Sequence, residues 1–242
     1  MSIRVKGFKP KSGYCIGLKR CIDFVLSYPK KKPYFELIND IYSKDGTNAF
    51  EIIFKNTNEY AEKSKEHYRV PFFNQGFNTI PSIDMRLKAH RVIINHLHYN
   101  DETKEFIDNE ILKMNLNFKY VSICFRGNDR IIEEGGNPNK EDFLNVIDSM
   151  KPNKLFVMTD DHEFLRELNS RYDTFFVEKN KVKDSNKALH KELTTQEEVI
   201  DNLRTMFLEI EIVKRSTMMI SNTSNIYDYI SFCNPNLIRL TL

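Results

Sequence analysis

The chain has 242 residues, of which 40% are hydrophobic and 29% are charged, with eight glycines and eight prolines. This composition excludes disordered, collagen-like and transmembrane proteins, and no apolar run approaches the ~20 residues that a bilayer-spanning helix needs. The formal net charge is only +2, so the whole chain carries no strong signal for binding a polyanion. Its length is long for one domain and short for two, given ~100–200 residues per domain.

The amino terminus and the cysteines bear on where the protein works. Residues 1–10 contain no apolar stretch of the kind found in a secretory signal. The four cysteines are scattered and form no Cys-x-x-Cys pair, which argues against structural zinc and is typical of reduced thiols. We therefore expect a cytoplasmic protein without a membrane span. The first 32 residues carry nine basic side chains and one acidic residue, Asp23, which indicates either a solvated surface or a site for an anion.

The first half of the chain predicts helices more clearly than strands. The spacing of apolar residues predicts three helices, over residues 17–28, 83–97 and 103–114. Ser82 is the expected N-cap of the second helix. The expected apolar face of the third consists of Phe106, Ile107, Ile111 and Leu112. Residues 33–38 form a strand or an irregular segment, residues 40–50 a loop, and residues 50–54 a short apolar run.

The second half alternates strands with helices. Strands are predicted at residues 120–125, 154–158, 174–177 and 217–220. Helices are predicted at residues 140–150, from the cap Asp161 to about residue 172, and at residues 225–232. Residues 195–214 are predicted to form one long helix or a broken pair of helices. This alternation predicts a parallel sheet with right-handed crossovers. We place a boundary near residue 116, which gives two domains, 1–115 and 116–242.

Three polar loops follow strands of this predicted sheet, where ligands bind in such folds. Arg126 presents a rigid fork that suits two phosphate oxygens, and residues 221–224 offer hydroxyls and backbone N–H groups at a helix start. Asp160 could accept hydrogen bonds from guanine. Each loop also has an ordinary interpretation, such as an ion pair with Asp129 or a helix cap at Asp161. The chain has neither the phosphate-binding loop of nucleoside triphosphatases nor the glycine pattern of nicotinamide enzymes, so a nucleoside diphosphate joined to another group fits best.

Several segments resemble the fucosyltransferase superfamily. Residues 121–134, Val-Ser-Ile-Cys-Phe-Arg-Gly-Asn-Asp-Arg-Ile-Ile-Glu-Glu, resemble its His-x-Arg-x-x-Asp motif. Residues 155–161 resemble its Thr-Asp-Asp donor loop, and residues 207–213 and 218–225 resemble later motifs. The loop at Gly13-Tyr14 resembles the opening Gly-aromatic loop of the family. The resemblance implies a GT-B type α/β fold, in which two small Rossmann-like domains face a cleft.

The resemblance also implies roles for individual residues. Arg126 would hold the β-phosphate of the donor, Asp129 would organise its loop, and Arg130 would take the place of a second basic residue. Glu134 aligns with the carboxylate proposed as the general base. Asp160 or Asp161 would recognise guanine, and three hydroxyls would line the pyrophosphate, namely Ser221, Thr223 and Ser224. Cys124 stands where the motif has histidine.

Together with these residues, the resemblance implies an inverting transfer of L-fucose from GDP-fucose to a glycan hydroxyl. Glu134, or otherwise Glu133, would take the proton of the attacking hydroxyl. Arg126, Arg130 and the helix start at residues 222–225 would stabilise the departing diphosphate. The adjacent pair Asp160-Asp161 lacks Asp-x-Asp spacing, so we expect a transferase that uses no metal.

Other interpretations stay open. Cys124 is the best argument for a different nucleotide sugar, such as a rhamnosyl or xylosyl donor. A non-catalytic module that binds a nucleotide or a glycan is a second alternative. Nucleic-acid binding has only the basic amino-terminal third in its favour, without a recognition motif, and we expect none. Arg86 and His90 share a helix face that is either solvated or directed to the cleft. Animal members of the superfamily that the chain resembles usually carry a membrane anchor, so a sequence without one is expected to be a bacterial or viral enzyme of the cytoplasm or a shortened form of a longer protein.

Overall fold

A computed structural model describes residues 13–56, 81–127, 139–178 and 193–242, and the backbone of residues 2–6 and 67–68. The strands within these residues are β1 (Ser2–Lys6), β2 (Lys32–Glu36), β3 (His67–Tyr68), β4 (Val121–Phe125), β5 (Leu155–Thr159), β6 (Thr174–Phe175), β7 (Met218–Ser221) and β8 (Ile238–Thr241). The helices are α1 (Tyr14–Ser27), α2 (Ala49–Ile53), α3 (Ile83–His96), α4 (Asp101–Met114), α5 (Lys140–Met150), α6 (His162–Arg171), α7 (Gln196–Val213) and α8 (Asn225–Cys233).

The strands form two parallel sheets. The first has the order β2-β1-β3 and the second the order β6-β5-β4-β7-β8. In the second sheet the chain runs outward from β4 to β6 on one side, then returns to place β7 on the other side of β4. Because all five residues of β4 are buried, this strand is covered on both faces, as expected for a parallel sheet between helices. The predicted α/β fold is confirmed.

Alternating side chains of the second sheet build two apolar cores. Ile123 and Phe125 point to the face covered by α5 and α6, where they pack with Phe143 and Phe164. The opposite face carries Cys124 and belongs to a larger core that includes residues of α7, α8 and the first half of the chain. This alternation follows from the period of two in a strand.

Helix α7 joins the two halves of the chain. It begins with a capping box, in which Thr195 and Glu198 each accept a backbone N–H of the other, and packs against α2, α4 and β5. Its Phe207 ring makes edge contacts with Tyr14, Phe54 and Tyr229. One apolar core therefore runs across residue 116, and the division into domains at that point stays a prediction.

Most predicted elements are confirmed within a few residues, with informative exceptions. The run at residues 50–54 is mostly helix α2, with the Asn48 side chain accepting the Phe50 N–H. Leu112 is 78% exposed, so its predicted place on the apolar face of α4 is wrong. Strands β1, β3 and β8 were not predicted. No helix within the described residues is long and apolar enough to cross a membrane.

Candidate active site

The carboxyl ends of β4, β5 and β7 lie side by side at one edge of the second sheet. Cys124 is paired in register with Met158 of β5 and with Ser221 of β7. Three loops follow these strands, beginning at Arg126, Asp160 and Asn222. They therefore start next to one another. Strand order reverses at β4, and the crevice at such a reversal is the usual ligand site of an open parallel sheet.

Asn222, after β7, forms hydrogen bonds with the loop that begins at Arg126, after β4. Its Oδ1 accepts the Arg126 backbone N–H at 3.2 Å, and its Nδ2 donates to the Arg126 carbonyl at 2.8 Å. The Asn222 side chain is buried, so these bonds satisfy polar groups that water does not reach. The Arg126 guanidinium then extends toward α8, where its Nη1 donates to Ser224 Oγ at 3.4 Å.

Gly127 ties the same loop to the end of β5. Its backbone N–H donates to Asp160 Oδ1 at 2.8 Å. A Cβ at this position would lie 2.7 Å from a ring carbon of Phe125 and 3.1 Å from Asp161 Oδ2. Glycine is required here because the backbone approaches its neighbours too closely for any side chain.

The structure separates the two adjacent aspartates. Asp161 is buried and has a structural role, since its Oδ1 accepts the Phe164 N–H at 2.9 Å as the cap of α6 and its Oδ2 pairs with Lys140 Nζ at 2.8 Å. Asp160 instead lines the cleft at the strand end. Of the two candidates for recognising a base, only Asp160 faces the cleft.

A cleft of about 200 Å³ opens at this edge. It lies between both halves of the chain, because α1 and Tyr42 form one wall and the ends of β4 and β5 form another. The remaining walls are one face of α7 and the first turn of α8. The cleft is lined by Gly13, Tyr14, Cys15, Ile16, Tyr42, Phe125, Arg126, Met158, Thr159, Asp160, Asn202, Thr205, Met206, Glu209, Asn225, Ile226 and Tyr227.

Two helix N-termini face this cleft. Gly13 caps α1 without a side chain, and no acidic residue follows in the first turn of that helix. Ser224 caps α8, yet its hydroxyl makes no capping hydrogen bond. The first N–H groups of a helix lack partners within the helix and carry partial positive charge. Two such ends beside Arg126 form a site suited to an anion with several oxygens.

The predicted hydroxyls occupy different positions. Ser221 is fully buried at the end of β7, and its Oγ accepts a hydrogen bond from Arg239 Nε at 3.1 Å. The structure therefore does not place the Ser221 hydroxyl in the cleft. Thr223 and Ser224 lie in the turn before α8, while the cleft lining on that side begins at Asn225.

Glu209 is a lining residue that sequence reasoning missed. It lies on α7, is only 2% exposed and contributes to the cleft wall. Asn202, Thr205, Met206 and Glu209 recur at positions i, i+3, i+4 and i+7, which places them on one helix face. The spacing alone groups these residues on one face, but it does not show that this face borders a cleft.

Two thiols are held in the neutral form, Cys15 in the cleft wall and Cys124 on β4 in the core. Burial raises the pKa of Cys15 to about 12, although nearby Arg126 acts in the opposite direction. Burial also raises the pKa of Cys124 far above its usual value, and the charge of Glu209 adds to that increase. Neither thiol is therefore a nucleophile at neutral pH.

Four predicted residues, Asp129, Arg130, Glu133 and Glu134, lie outside the described residues. Arg126, Asp160 and the Gly13-Tyr14 loop are brought together at the cleft. Arg86 and His90 take part in packing, since Arg86 Nε donates to the Pro81 carbonyl and His90 Nδ1 lies 3.1 Å from the Phe232 carbonyl oxygen. Within the described part of the chain, no cluster of three or more His, Cys, Asp or Glu side chains could hold a metal ion.

Comparison with known proteins supports the fold. No family model and no curated protein matches this sequence. Solved structures do match. One is the NodZ alpha-1,6-fucosyltransferase soaked with GDP-fucose, with a TM-score of 0.65 and 16% identity over 97% of this chain and 94% of that chain. NodZ from Bradyrhizobium in its selenomethionine form gives a TM-score of 0.66 and 16% identity over 100% and 96% of the two chains.

A third match is NodZ co-crystallised with GDP, with a TM-score of 0.63 and 16% identity over 98% of this chain and 93% of that chain. These structures share the architecture of the present chain over nearly its whole length. The predicted fold of the fucosyltransferases is thus confirmed.

Proposed function

We propose that this protein is an inverting glycosyltransferase that transfers L-fucose from GDP-fucose to a glycan hydroxyl. The observation that carries the proposal is the convergence of Arg126 and two helix N-termini on one cleft at the strand reversal. The fold is shared with NodZ, an alpha-1,6-fucosyltransferase whose structures were obtained with GDP and with GDP-fucose.

The diphosphate would bind at the basic end of the cleft. The Arg126 guanidinium can donate to two oxygens at once, and Asn222 holds the Arg126 backbone on both sides. The first turns of α1 and α8 supply further N–H groups. As the bond to the sugar breaks, negative charge grows on the diphosphate, and donors already in place stabilise that charge without reorganisation.

The guanine base would bind where a carboxylate can accept its ring and exocyclic N–H groups. Among the residues that the structure describes, two carboxylates line the cleft, Asp160 at the end of β5 and Glu209 on α7. The sequence predicts Asp160 as the residue that recognises guanine. Glu209 is a second candidate because it lies in the wall of the cleft. Apolar lining side chains, among them Tyr14, Met158 and Met206, provide surface for the flat faces of the base.

Acceptor activation is assigned from sequence alone. Glu134 would remove the proton of the acceptor hydroxyl, with Arg130 adding positive charge near the leaving group and Asp129 organising the loop. A carboxylate base and cationic side chains suffice for this reaction, so we propose that no metal is used. We also propose that residues 116–242 form most of the donor site, with the first turn of α1 contributing to it, and that the rest of residues 1–115 bind the glycan acceptor.

The cysteines support a cytoplasmic location as part of this proposal. All four thiols are free and three of them are buried, and free thiols are usual in a reducing compartment. The donor test below also covers the alternative that the protein uses another nucleotide sugar instead of GDP-fucose.

Calorimetry with GDP tests the proposal directly. We expect the wild type to bind GDP, and Arg126→Ala to bind it about 10–100-fold more weakly, the usual worth of hydrogen bonds to a charged partner. Arg171→Ala is the matched control, since Arg171 pairs with Asp148 on the surface. Absence of GDP binding by the wild type, or full affinity in Arg126→Ala, would refute the proposal. Incubation with GDP-fucose and with other nucleotide sugars, followed by detection of the released nucleotide, then identifies the donor.

A further inference from the structure

Lys19 reaches from the first half of the chain to the first turn of α8. It lies just over one turn into α1, and its Nζ donates to Asn225 Oδ1 at 3.1 Å and to Asp228 Oδ2 at 2.9 Å. Asn225 is the first residue of α8 and lines the cleft. One ammonium group therefore connects the two helices whose N-termini face the cleft.

The chemistry of lysine fixes the orientation of the Asn225 amide. A lysine ammonium has donors only, so the Asn225 atom that faces it must be the carbonyl oxygen. The amide NH2 is then the group that Asn225 can present to the cleft, and it is a donor. An asparagine held in the opposite orientation would present an oxygen, which repels phosphate.

Asp228 keeps Lys19 in this position. It is mostly buried, and its second oxygen, Oδ1, accepts from Arg239 Nη1 at 2.8 Å. The Arg239 side chain is almost fully buried and also bonds Ser221 at the end of β7. Asp228 thus holds one cation from α1 and one from β8, and this cluster links three elements beneath the first turn of α8.

Excess positive charge surrounds this carboxylate. Burial lowers the pKa of Arg86, the charge of Arg239 lowers it further, and Asp228 acts in the opposite direction. Arg86 is therefore a third cation that interacts electrostatically with Asp228. A cluster with more cations than anions beneath a helix N-terminus favours an anionic ligand above it.

We propose that Lys19 is a positioning residue that orients the Asn225 amide as a donor to the diphosphate and fixes the spacing of the two helix N-termini. This inference rests on the proposed function for the identity of the nucleotide, although its anion chemistry can be measured without one. Asn225 contacts the diphosphate, whereas Lys19 acts through it.

The test compares the binding of GDP, guanosine and inorganic pyrophosphate by calorimetry. For Lys19→Met, which keeps the length of the side chain but removes its charge, we expect at least about tenfold weaker binding of GDP and of pyrophosphate. Guanosine affinity should stay within about twofold of the wild type. Asn225→Asp leaves an acceptor for Lys19 but removes the donor, and it should weaken both phosphate ligands in the same way.

Two further variants complete the design. Lys19→Arg should recover most of the GDP affinity, because a guanidinium can still donate to both partners. Lys55→Met is the matched control, since Lys55 forms an exposed pair with Asp101 and should leave all three affinities unchanged. Circular dichroism and the melting temperature verify that each variant is folded, and Asn225→Ala gives a second route if Lys19→Met unfolds.

Each result decides between the two proposals. A wild type that binds pyrophosphate but not GDP refutes the proposed nucleotide and keeps this inference. Folded Lys19→Met and Asn225→Asp proteins with undiminished GDP and pyrophosphate affinity overturn the inference alone, as does an equal loss of guanosine affinity. A wild type that binds none of the three ligands overturns both proposals.

Discussion

The Asn222 carboxamide makes two hydrogen bonds with the backbone of Arg126, accepting from its N–H at 3.2 Å and donating to its carbonyl at 2.8 Å. A side chain at the end of β7 thereby completes the hydrogen bonding of the backbone at the end of β4. Such pairing keeps the first residue of a functional loop as ordered as the strand before it. The Arg126 side chain therefore leaves the sheet from a fixed position.

Replacement of Asn222 should affect both stability and binding. In Asn222→Ala, two backbone groups of Arg126 lose their partners, at a cost of about 1–3 kcal/mol for buried polar groups left unsatisfied. GDP affinity should fall about tenfold because Arg126 is no longer held in place. Urea unfolding and calorimetry measure the two effects.

Asn234→Ala is a suitable control for that variant. Asn234 Nδ2 donates to the Lys214 carbonyl at 2.9 Å, away from the cleft. It should lower stability without changing GDP affinity. Equal GDP affinity in Asn222→Ala and the wild type would contradict the anchoring role.

Gly127→Ala should be more harmful than an ordinary glycine substitution. The new Cβ would lie 2.7 Å from a carbon of the buried Phe125 ring, so the loop or the strand end must move. Overpacking of this kind costs about 1–3 kcal/mol, and the Gly127 bond to Asp160 should weaken with it. Gly13→Ala is the comparison for stability, because a Cβ there meets nothing within 4 Å. Similar melting temperatures of the two variants would disprove the steric argument.

Sequence reasoning located the strand ends, but the walls of the cleft required the structure. Loops after parallel strands meet at one edge by topology alone, so Arg126 and Asp160 could be placed together. Glu209 could not, because a helix face acquires its neighbours only through tertiary packing. The wrong prediction for Leu112 has the same cause. Its spacing suits the apolar face of a helix, but in the folded protein no neighbouring element among the described residues covers it.

Short strands were also difficult to predict from the sequence. In β8, Ile238 and Leu240 alternate with Arg239, but only four residues carry the pattern. Strand β2 contains Pro33, which is compatible with a strand at the edge of the first sheet because proline cannot donate to a neighbouring strand. Local patterns of this length are too weak to distinguish a strand from a loop.

The two aspartates after β5 should respond differently to amidation. Asp161→Asn removes the charge paired with Lys140 and weakens the cap of α6, so it should lower stability and leave the preference for GDP over ADP intact. Asp160→Asn or Glu209→Gln is expected to lose the preference for GDP over ADP. A carboxylate can accept hydrogen bonds from both N–H groups of guanine, whereas a carboxamide has only one acceptor oxygen. Binding of GDP and ADP by all three variants identifies the recognising residue. A selective loss of the preference in Asp161→Asn alone would rule out this assignment.

Asp23 on α1 should make stability depend on pH. Burial raises its pKa to about 7, partly offset by Lys19, and its buried Oδ2 has no hydrogen-bond partner in the part of the chain that the structure describes. In the unfolded chain the pKa is about 3.9. Folding therefore retains a proton that the unfolded chain releases, and stability falls as pH rises from about 4 to about 7.

Asp23→Asn should remove this dependence. At pH 8 we expect the free energy of unfolding to rise by about 1 kcal/mol after allowing for partial solvent screening, which corresponds to about 2–4 °C in Tm. At pH 4 the variant and the wild type should unfold alike. Thermal unfolding from pH 4 to 8 measures the profile, with Asp108→Asn on the exposed face of α4 as control. A wild-type stability that increases over this range beyond that of Asp23→Asn would contradict the assignment.

Glu134 is the residue on which the proposed chemistry depends. Glu134→Gln cannot take the proton of the acceptor, so kcat should fall about 10²–10⁴-fold while GDP affinity stays that of the wild type. The adjacent Glu133→Gln changes the charge of the same loop by the same amount and should keep most of the turnover. Single-turnover transfer from GDP-fucose, with and without EDTA, measures both the base and the expected independence of metal. If Glu133→Gln loses activity and Glu134→Gln keeps it, the base is Glu133, and if both keep it, the proton leaves through another group.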